Sequence, residues 1–190
     1  MRVRDENKKA AITKTIIRLI NEIGFANISM SKIAKATGVS VATLYVYYEN
    51  KEDMFRNVYM DVKKQMIEEC NRGISADESV EQAVRTICKN LLRYMQQYTA
   101  EFLFIEQACN SPLATKEMME EIERLNKGTM DIFQRGIQEG ILKHTSPALL
   151  ISFCFYPIQQ IFKECRKEKS MLPDIDFDMV FQMCWDAIKR

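Results

Sequence analysis

Apolar residues recur along this chain at helical rather than strand spacing. Ile12, Ile16, Leu19, Ile20 and Ile23 stand at offsets 0, 4, 7, 8 and 11, which predicts one apolar face on a helix over 7–23, with Gly24 placed to end it. Ser29 offers an N-cap to a short helix carrying Ile33, Ala34 and Ala36, and Gly38 closes it. Ser40 caps a third helix from Val41 to about Tyr48. The run Asn50-Lys51-Glu52-Asp53 reads as a break and then a new helix with acids in its first turn, running to Gly73. A helix, a short helix, a four-residue turn and another short helix predict a three-helix unit ending in a helix-turn-helix.

The remaining chain keeps the same period. Val80, Val84, Ile87, Cys88, Leu91 and Met95 line a helix near 77–98, and 102–109 form a shorter apolar segment. A long helix is expected from Ala114 to Glu139 through Met118, Ile122, Leu125, Ile132, Phe133 and Ile137, although Gly128 inside it weakens a straight rod. Ser146-Pro147 suits the start of a helix reaching Lys169, with a kink expected at Pro157. Asp174, Asp176 and Asp178 favour the start of a last helix, on which Phe177, Val180, Phe181, Cys184 and Ile188 share one face. With no competing strand alternation, no internal repeat and no low-complexity linker, the expectation is an all-α chain of nine helices.

Composition narrows the function classes. At 190 residues with 47% hydrophobic and 28% charged positions, the chain can bury a sizeable core without staples. Its charged start does not read as a secretory signal, and the longest apolar run, LLISFCFYPI at 149–158, is too short to span a bilayer. The expected location is therefore the cytoplasm, with no membrane partner. Six cysteines lie far apart with no CxxC, and His144 is the one histidine. That spacing offers no metal site, so the thiols are expected to be reduced core residues. With one histidine, no GxSxG and no phosphate-binding glycine loop, no catalytic residues are assigned, no cofactor is expected and the enzyme class is disfavoured.

Charge is uneven. Residues 1–51 hold nine Lys/Arg against four Asp/Glu within a chain of net charge +1, so a basic first third precedes an acidic remainder. A polyanion is the natural partner for such an end, although a surplus of this size is unremarkable alone.

The stretch GVSVATLYVYYENKEDMF, 38–55, places Tyr45, Tyr47 and Tyr48 on one short helix. Leu44 and Tyr48, four apart, share the core-facing side, and Ala42 and Val46 share the opposite side. Tyr45 and Tyr47 are then at least partly exposed, beside Lys51. Small residues let a helix approach a major groove closely, while phenol hydroxyls and a lysine can meet phosphates. The plain alternative is a tyrosine-rich surface on an ordinary bundle.

The run Ile33-Ala34, Gly38-Val39-Ser40, Thr43-Leu44-Tyr45-Val46-Tyr47-Tyr48 and Lys51-Glu52 closely resembles the N-terminal signature of TetR/AcrR transcription regulators. The resemblance covers residues 9–60; beyond it only length and helical pattern agree. It implies a helix-turn-helix DNA-binding domain at 1–52 and an effector-binding and dimerisation domain at 53–190. It further implies that Ser31 and Lys32 approach the DNA backbone, that Thr43, Tyr47 and Lys51 contact phosphates, and that Tyr45 lies in the groove. At the base-reading positions stand Val41 and Ala42, which make no bidentate hydrogen bonds but can touch thymine methyls. Arg2 and Arg4 either reach a minor groove or form a solvated tail.

The family resemblance also implies a two-fold dimer on palindromic double-stranded DNA, built from the last two helices. The apolar run at 149–158 is greasy nearly all round, as a helix with a second buried face would be. Regulators of this kind usually hold a small molecule in the second domain, and Tyr94, Met95, Tyr98, Phe102, Phe133, Phe153 and Tyr156 are the candidate lining residues for a hydrophobic or amphipathic effector. Control by a protein partner instead of a small ligand is the alternative, and activation instead of repression stays open.

Overall fold

The computed structural model describes residues 6–75, 77–109, 115–167 and 176–190. Among them are ten α-helices: α1 (Glu6–Ile23), α2 (Met30–Thr37), α3 (Val41–Tyr47), α4 (Lys51–Cys70), α5 (Val80–Gln97), α6 (Thr99–Cys109), α7 (Lys116–Leu125), α8 (Lys127–Gln138), α9 (Pro147–Lys167) and α10 (Phe177–Ile188). A single 3-10 turn, Phe25–Asn27, follows α1. The described residues hold no strand, only an isolated antiparallel bridge between Leu142 and Lys189. The expected all-α architecture is thus observed, with one correction. The helix expected over 114–139 is two helices, α7 and α8, separated at Asn126. Asn126 and Gly128 are weak helix formers, and a one-residue break leaves the apolar period almost undisturbed. The expected boundaries at Ala114, Lys169 and Asp174, like Arg2 and Arg4, lie outside the described residues.

Two compact units emerge: Met1–Lys64 with Tyr98–Ile122, and Gln65–Gln97 with Glu123–Arg190. Helices α4 and α7 each contribute residues to both. In the first unit, α1 packs on α2 and α6, and α2 packs on α3. Ile12, Ile16, Ile20, Ile33, Leu44 and Tyr48 form its buried centre, each large side chain worth about 1.5–3 kcal/mol removed from water. Phe55 extends that centre, meeting Phe25 edge-on at 4.8 Å, Phe104 at 5.8 Å and a stacked Tyr59 at 6.1 Å.

Local chemistry sets the helix ends. Ser29 Oγ accepts from Lys32 N–H at the start of α2, and Ser40 Oγ accepts from Thr43 N–H at the start of α3. Gly38 ends α2 in the left-handed region at φ 70°, where a side chain is strained. At the start of α4, Asn50 Oδ1 accepts from Asp53 N–H at 2.7 Å and Asp53 Oδ2 accepts from Glu49 N–H at 3.0 Å. This capping arrangement closes the helix-turn-helix against the helix that follows.

In the second unit, α5 packs on α8, α9 and α10 and buries Val80, Ala83, Val84, Ile87, Cys88, Leu91, Tyr94 and Met95. Helix α9 continues through Pro157 and buries Leu150, Cys154, Ile158 and Phe162, one residue in four. Gly136 marks a close approach: a Cβ there would come within 2.6 Å of Leu142 and 2.8 Å of Val80. Backbone bonds from Lys143 N–H to Ile188 O at 2.9 Å and from Arg190 N–H to Ile141 O at 3.0 Å join the chain after α8 to the end of α10. Arg85 pairs with Asp178 and lies 4.5 Å from the Phe181 ring centre.

All six cysteines are free thiols. Cys70, Cys88, Cys154 and Cys184 are buried, whereas Cys109 is exposed and Cys165 half-buried, so the expected core placement fails for two. Both lie near helix ends, at the last residue of α6 and two residues before the end of α9. The Cys88 thiol is pushed up by its hydrogen bond to Cys154 and then by burial, and burial pushes Cys184 up to about 11.

Candidate nucleic-acid interface

Helix α3 is seven residues long and has one buried side chain, Leu44. Tyr48, its C-cap, is also buried, and its hydroxyl lies 3.5 Å from Thr13 Oγ1 on α1. Burial raises the Tyr48 phenol above its ordinary value, with Thr13 opposing. These two anchors turn the opposite side outward. Ala42 is exposed, Tyr45 is 53% exposed and Val46 50% exposed, while Val41, Thr43 and Tyr47 are half-buried on the flanks. Thr43 Oγ1 lies 2.8 Å from Ser40 Oγ, so its hydroxyl is engaged at the helix start.

The cations around this surface are positioned by neighbours. Lys51 Nζ lies 4.2 Å from the centre of the Phe25 ring, a cation–π contact between two half-buried side chains worth on the order of 1 kcal/mol. That contact narrows where the ammonium stands without consuming its hydrogen-bond donors. Lys32 Nζ donates to Asn27 O at 2.7 Å, so one of its three donors is turned back to the protein. Ser31, next to it on α2, is exposed. Two features of this surface carry no assignment from the sequence: Phe25 beneath Lys51, and Val46, placed on the outward side with Ala42 but given no contact. The first leaves no short-range signal, being 26 residues from its partner; the second was legible from the wheel but unassigned.

The seven candidate effector residues divide between the two units. Tyr98 and Phe102 belong to the first unit, the others to the second. Tyr94, Met95 and Phe133 are buried in the core of the second unit. Phe153 and Tyr156, expected in a pocket, are instead 51% and 66% exposed. The reason is rotational: the buried residues of α9 repeat from Leu150 through Cys154 to Ile158, and Phe153 and Tyr156 stand off that line. They share the surface with Leu149 on α9, while Met179 and Met183 are exposed on α10. A cleft of about 460 Å³ in the second unit is lined by Lys89, Leu92, Arg93, Gln96, Asp176, Phe177 and Asp178, none of them a candidate from the sequence. Among the described residues, no group of three or more His, Cys, Asp or Glu is placed to hold a metal ion, and no helix is long and apolar enough to cross a membrane.

A capped three-helix unit presenting a short, outward-facing second helix of a helix-turn-helix defines the class as DNA-binding regulators. Comparison with known families gives the particular one. Residues 12–58 match the family described as bacterial regulatory proteins, tetR family, and residues 59–190 match the tetracyclin repressor-like C-terminal domain. The chain belongs to the TetR family of transcriptional regulators, which bind DNA, typically as dimers. It is similar, at 30% identity and a TM-score of 0.90, to the crystal structure of a TetR family regulator from Marinobacter aquaeolei, covering 100% of this chain and 99% of that one. It is 27% identical to the fatty acid metabolism regulator protein of Bacillus subtilis over 72% of this chain and 71% of that protein. The regulator FadR from Bacillus subtilis in complex with stearoyl-CoA shares the fold, at 20% identity and a TM-score of 0.70, over 94% of this chain and 96% of that one.

Proposed function

We propose that this regulator is a repressor that binds a palindromic operator as a homodimer and is released by a hydrophobic or amphipathic small molecule. The observation that carries the DNA-binding half is the outward face of α3, with Ala42 exposed opposite a buried Leu44, Tyr45 exposed on its flank, and Lys51, at the start of the next helix, held against Phe25. In this reading Ser31, Lys32, Thr43, Tyr47 and Lys51 meet phosphates, while Val41, Ala42 and Tyr45 enter the major groove.

The dimer rests on the exposed apolar residues of the last two helices, Leu149, Phe153 and Tyr156 on α9 with Met179 and Met183 on α10. Apolar side chains repeating on adjacent helices favour burial against a second copy, and a two-fold axis matches a palindrome. The effector class is supported by the relative named for fatty acid metabolism and by the acyl-CoA complex of the same fold. Release is then a population shift: the ligand binds one arrangement better than the one that fits DNA, and α4, shared by both units, carries the difference.

Fluorescence anisotropy tests this directly, using DNA from immediately upstream of the gene, titrated with salt, with Lys51→Ala alongside. The expected result is salt-sensitive binding that weakens in the variant on all sequences alike. Its salt slope becomes shallower by about one unit, the loss of one phosphate contact. Unchanged affinity and slope would overturn the docking. A thermal-shift screen with acyl chains of graded length tests the effector half, since a ligand of the native state raises the transition.

A further inference from the structure

The line of α3 directly opposite Leu44 carries no hydrogen-bonding side chain, with Tyr45 exposed to one side of it. Ala42 and Val46 stand one turn apart there, both exposed and both ending only in methyl groups. Of the polar neighbours, the Thr43 hydroxyl is engaged with Ser40 at 2.8 Å, and Tyr45 stands on the flank. In a DNA major groove, every base pair offers donors and acceptors, but the only apolar group on a base edge is the 5-methyl of thymine. A methyl-bearing face set against N7, O6 or an amino group desolvates it without replacing its hydrogen bond. Set against a 5-methyl, it buries apolar surface on both sides.

We propose that Val46, with Ala42 leaving room beside it, reads the 5-methyl group of a thymine in each half-site and so sets the preferred sequence. The inference rests on the DNA-binding reading above. It deepens that reading by assigning the thymine methyl, which Val41 and Ala42 can also touch, to a residue not otherwise placed in the interface. It also carries a consequence for modified DNA. Cytosine has a hydrogen where thymine has the methyl, and 5-methylcytosine restores it, so a cytosine placed at the read position is better accepted when methylated.

The test begins with selection of a preferred duplex from a random pool by the purified protein. Each thymine of that duplex is then replaced singly by deoxyuridine, which removes one methyl and keeps the base pairing. For the wild type, anisotropy at one salt concentration should show a loss of about fourfold at the read position, the value of one buried methyl-sized group. In Val46→Ala the same replacement should lose most of that difference. Alanine is the better helix former at this exposed site, so α3 stays folded, and circular dichroism checks it. Exchanging the read thymine for 5-methylcytosine should bind more tightly than exchange for cytosine. Equal wild-type affinity for thymine and deoxyuridine at every position overturns the inference while leaving DNA binding intact. An undiminished deoxyuridine effect in Val46→Ala overturns the assignment to Val46. Failure to select any duplex, with no salt-dependent binding, overturns the DNA-binding reading and this inference with it.

Discussion

Ser40 holds the first turn of α3 in two ways. Its Oγ accepts from Thr43 N–H at 3.1 Å and lies 2.8 Å from the Thr43 hydroxyl. A seven-residue helix cannot nucleate on its own, so its geometry depends on such caps and on the burial of Leu44 and Tyr48. Ser40→Ala should therefore lower stability by about 1 kcal/mol, measured by urea unfolding. It should also weaken DNA binding beyond that, because α3 would fray at the end proposed to enter the groove. The cap was legible in the sequence as a serine before an apolar run. The Lys51–Phe25 contact was not, because a ring and an ammonium far apart in sequence meet only once α1, the 3-10 turn and α4 are in place. Lys32 shows the same limit: its exposure follows from the helix wheel, but its bond to the Asn27 carbonyl comes from the turn before α2.

Two glycines at the level of the helix give opposite expectations within α8. Gly136 has Leu142 and Val80 where a Cβ would stand, at 2.6 and 2.8 Å, while Gly128 has nothing within 4 Å. Gly136→Ala should destabilise by about 1–3 kcal/mol through overpacking, and Gly128→Ala should stabilise by about 0.5–1 kcal/mol through helix propensity. Thermal unfolding of the pair checks both signs. Helix boundaries were readable where caps announce them, as at Ser29, Gly38 and Ser40. The break between α7 and α8 was not, since Ile122, Leu125 and Phe133 keep an apolar period across a single non-helical residue. On α9 the apolar residues fall nearly all round, so the period alone could not separate Cys154 and Ile158, which are buried, from Phe153 and Tyr156, which are exposed. That is why Phe153 and Tyr156 lie on the surface, while the α3 residues, each on a helix with a clear inner side, lie on or beside its outer side.

For the whole molecule, the exposed residues of α9 and α10 decide the oligomeric expectation. Phe153→Glu combined with Met183→Glu places carboxylates among apolar groups without touching the buried line from Leu150 to Phe162. Sedimentation should find the wild type dimeric and the double variant monomeric. Its affinity for a two-half-site duplex should then approach that for one half-site. A dimeric double variant would move the interface elsewhere.

The distribution of thiols has a practical corollary. Cys70, Cys88, Cys154 and Cys184 are buried in the second unit, and Cys109 is exposed in the first. Thiols shut away in a core are slow to react, and become modifiable only when the surrounding structure opens. The chain thus contains its own clock for that unit, with Cys109 as the internal zero of time. Thiol-labelling rates, followed by mass, read how often the second unit opens and how far a bound ligand slows it, with no probe introduced.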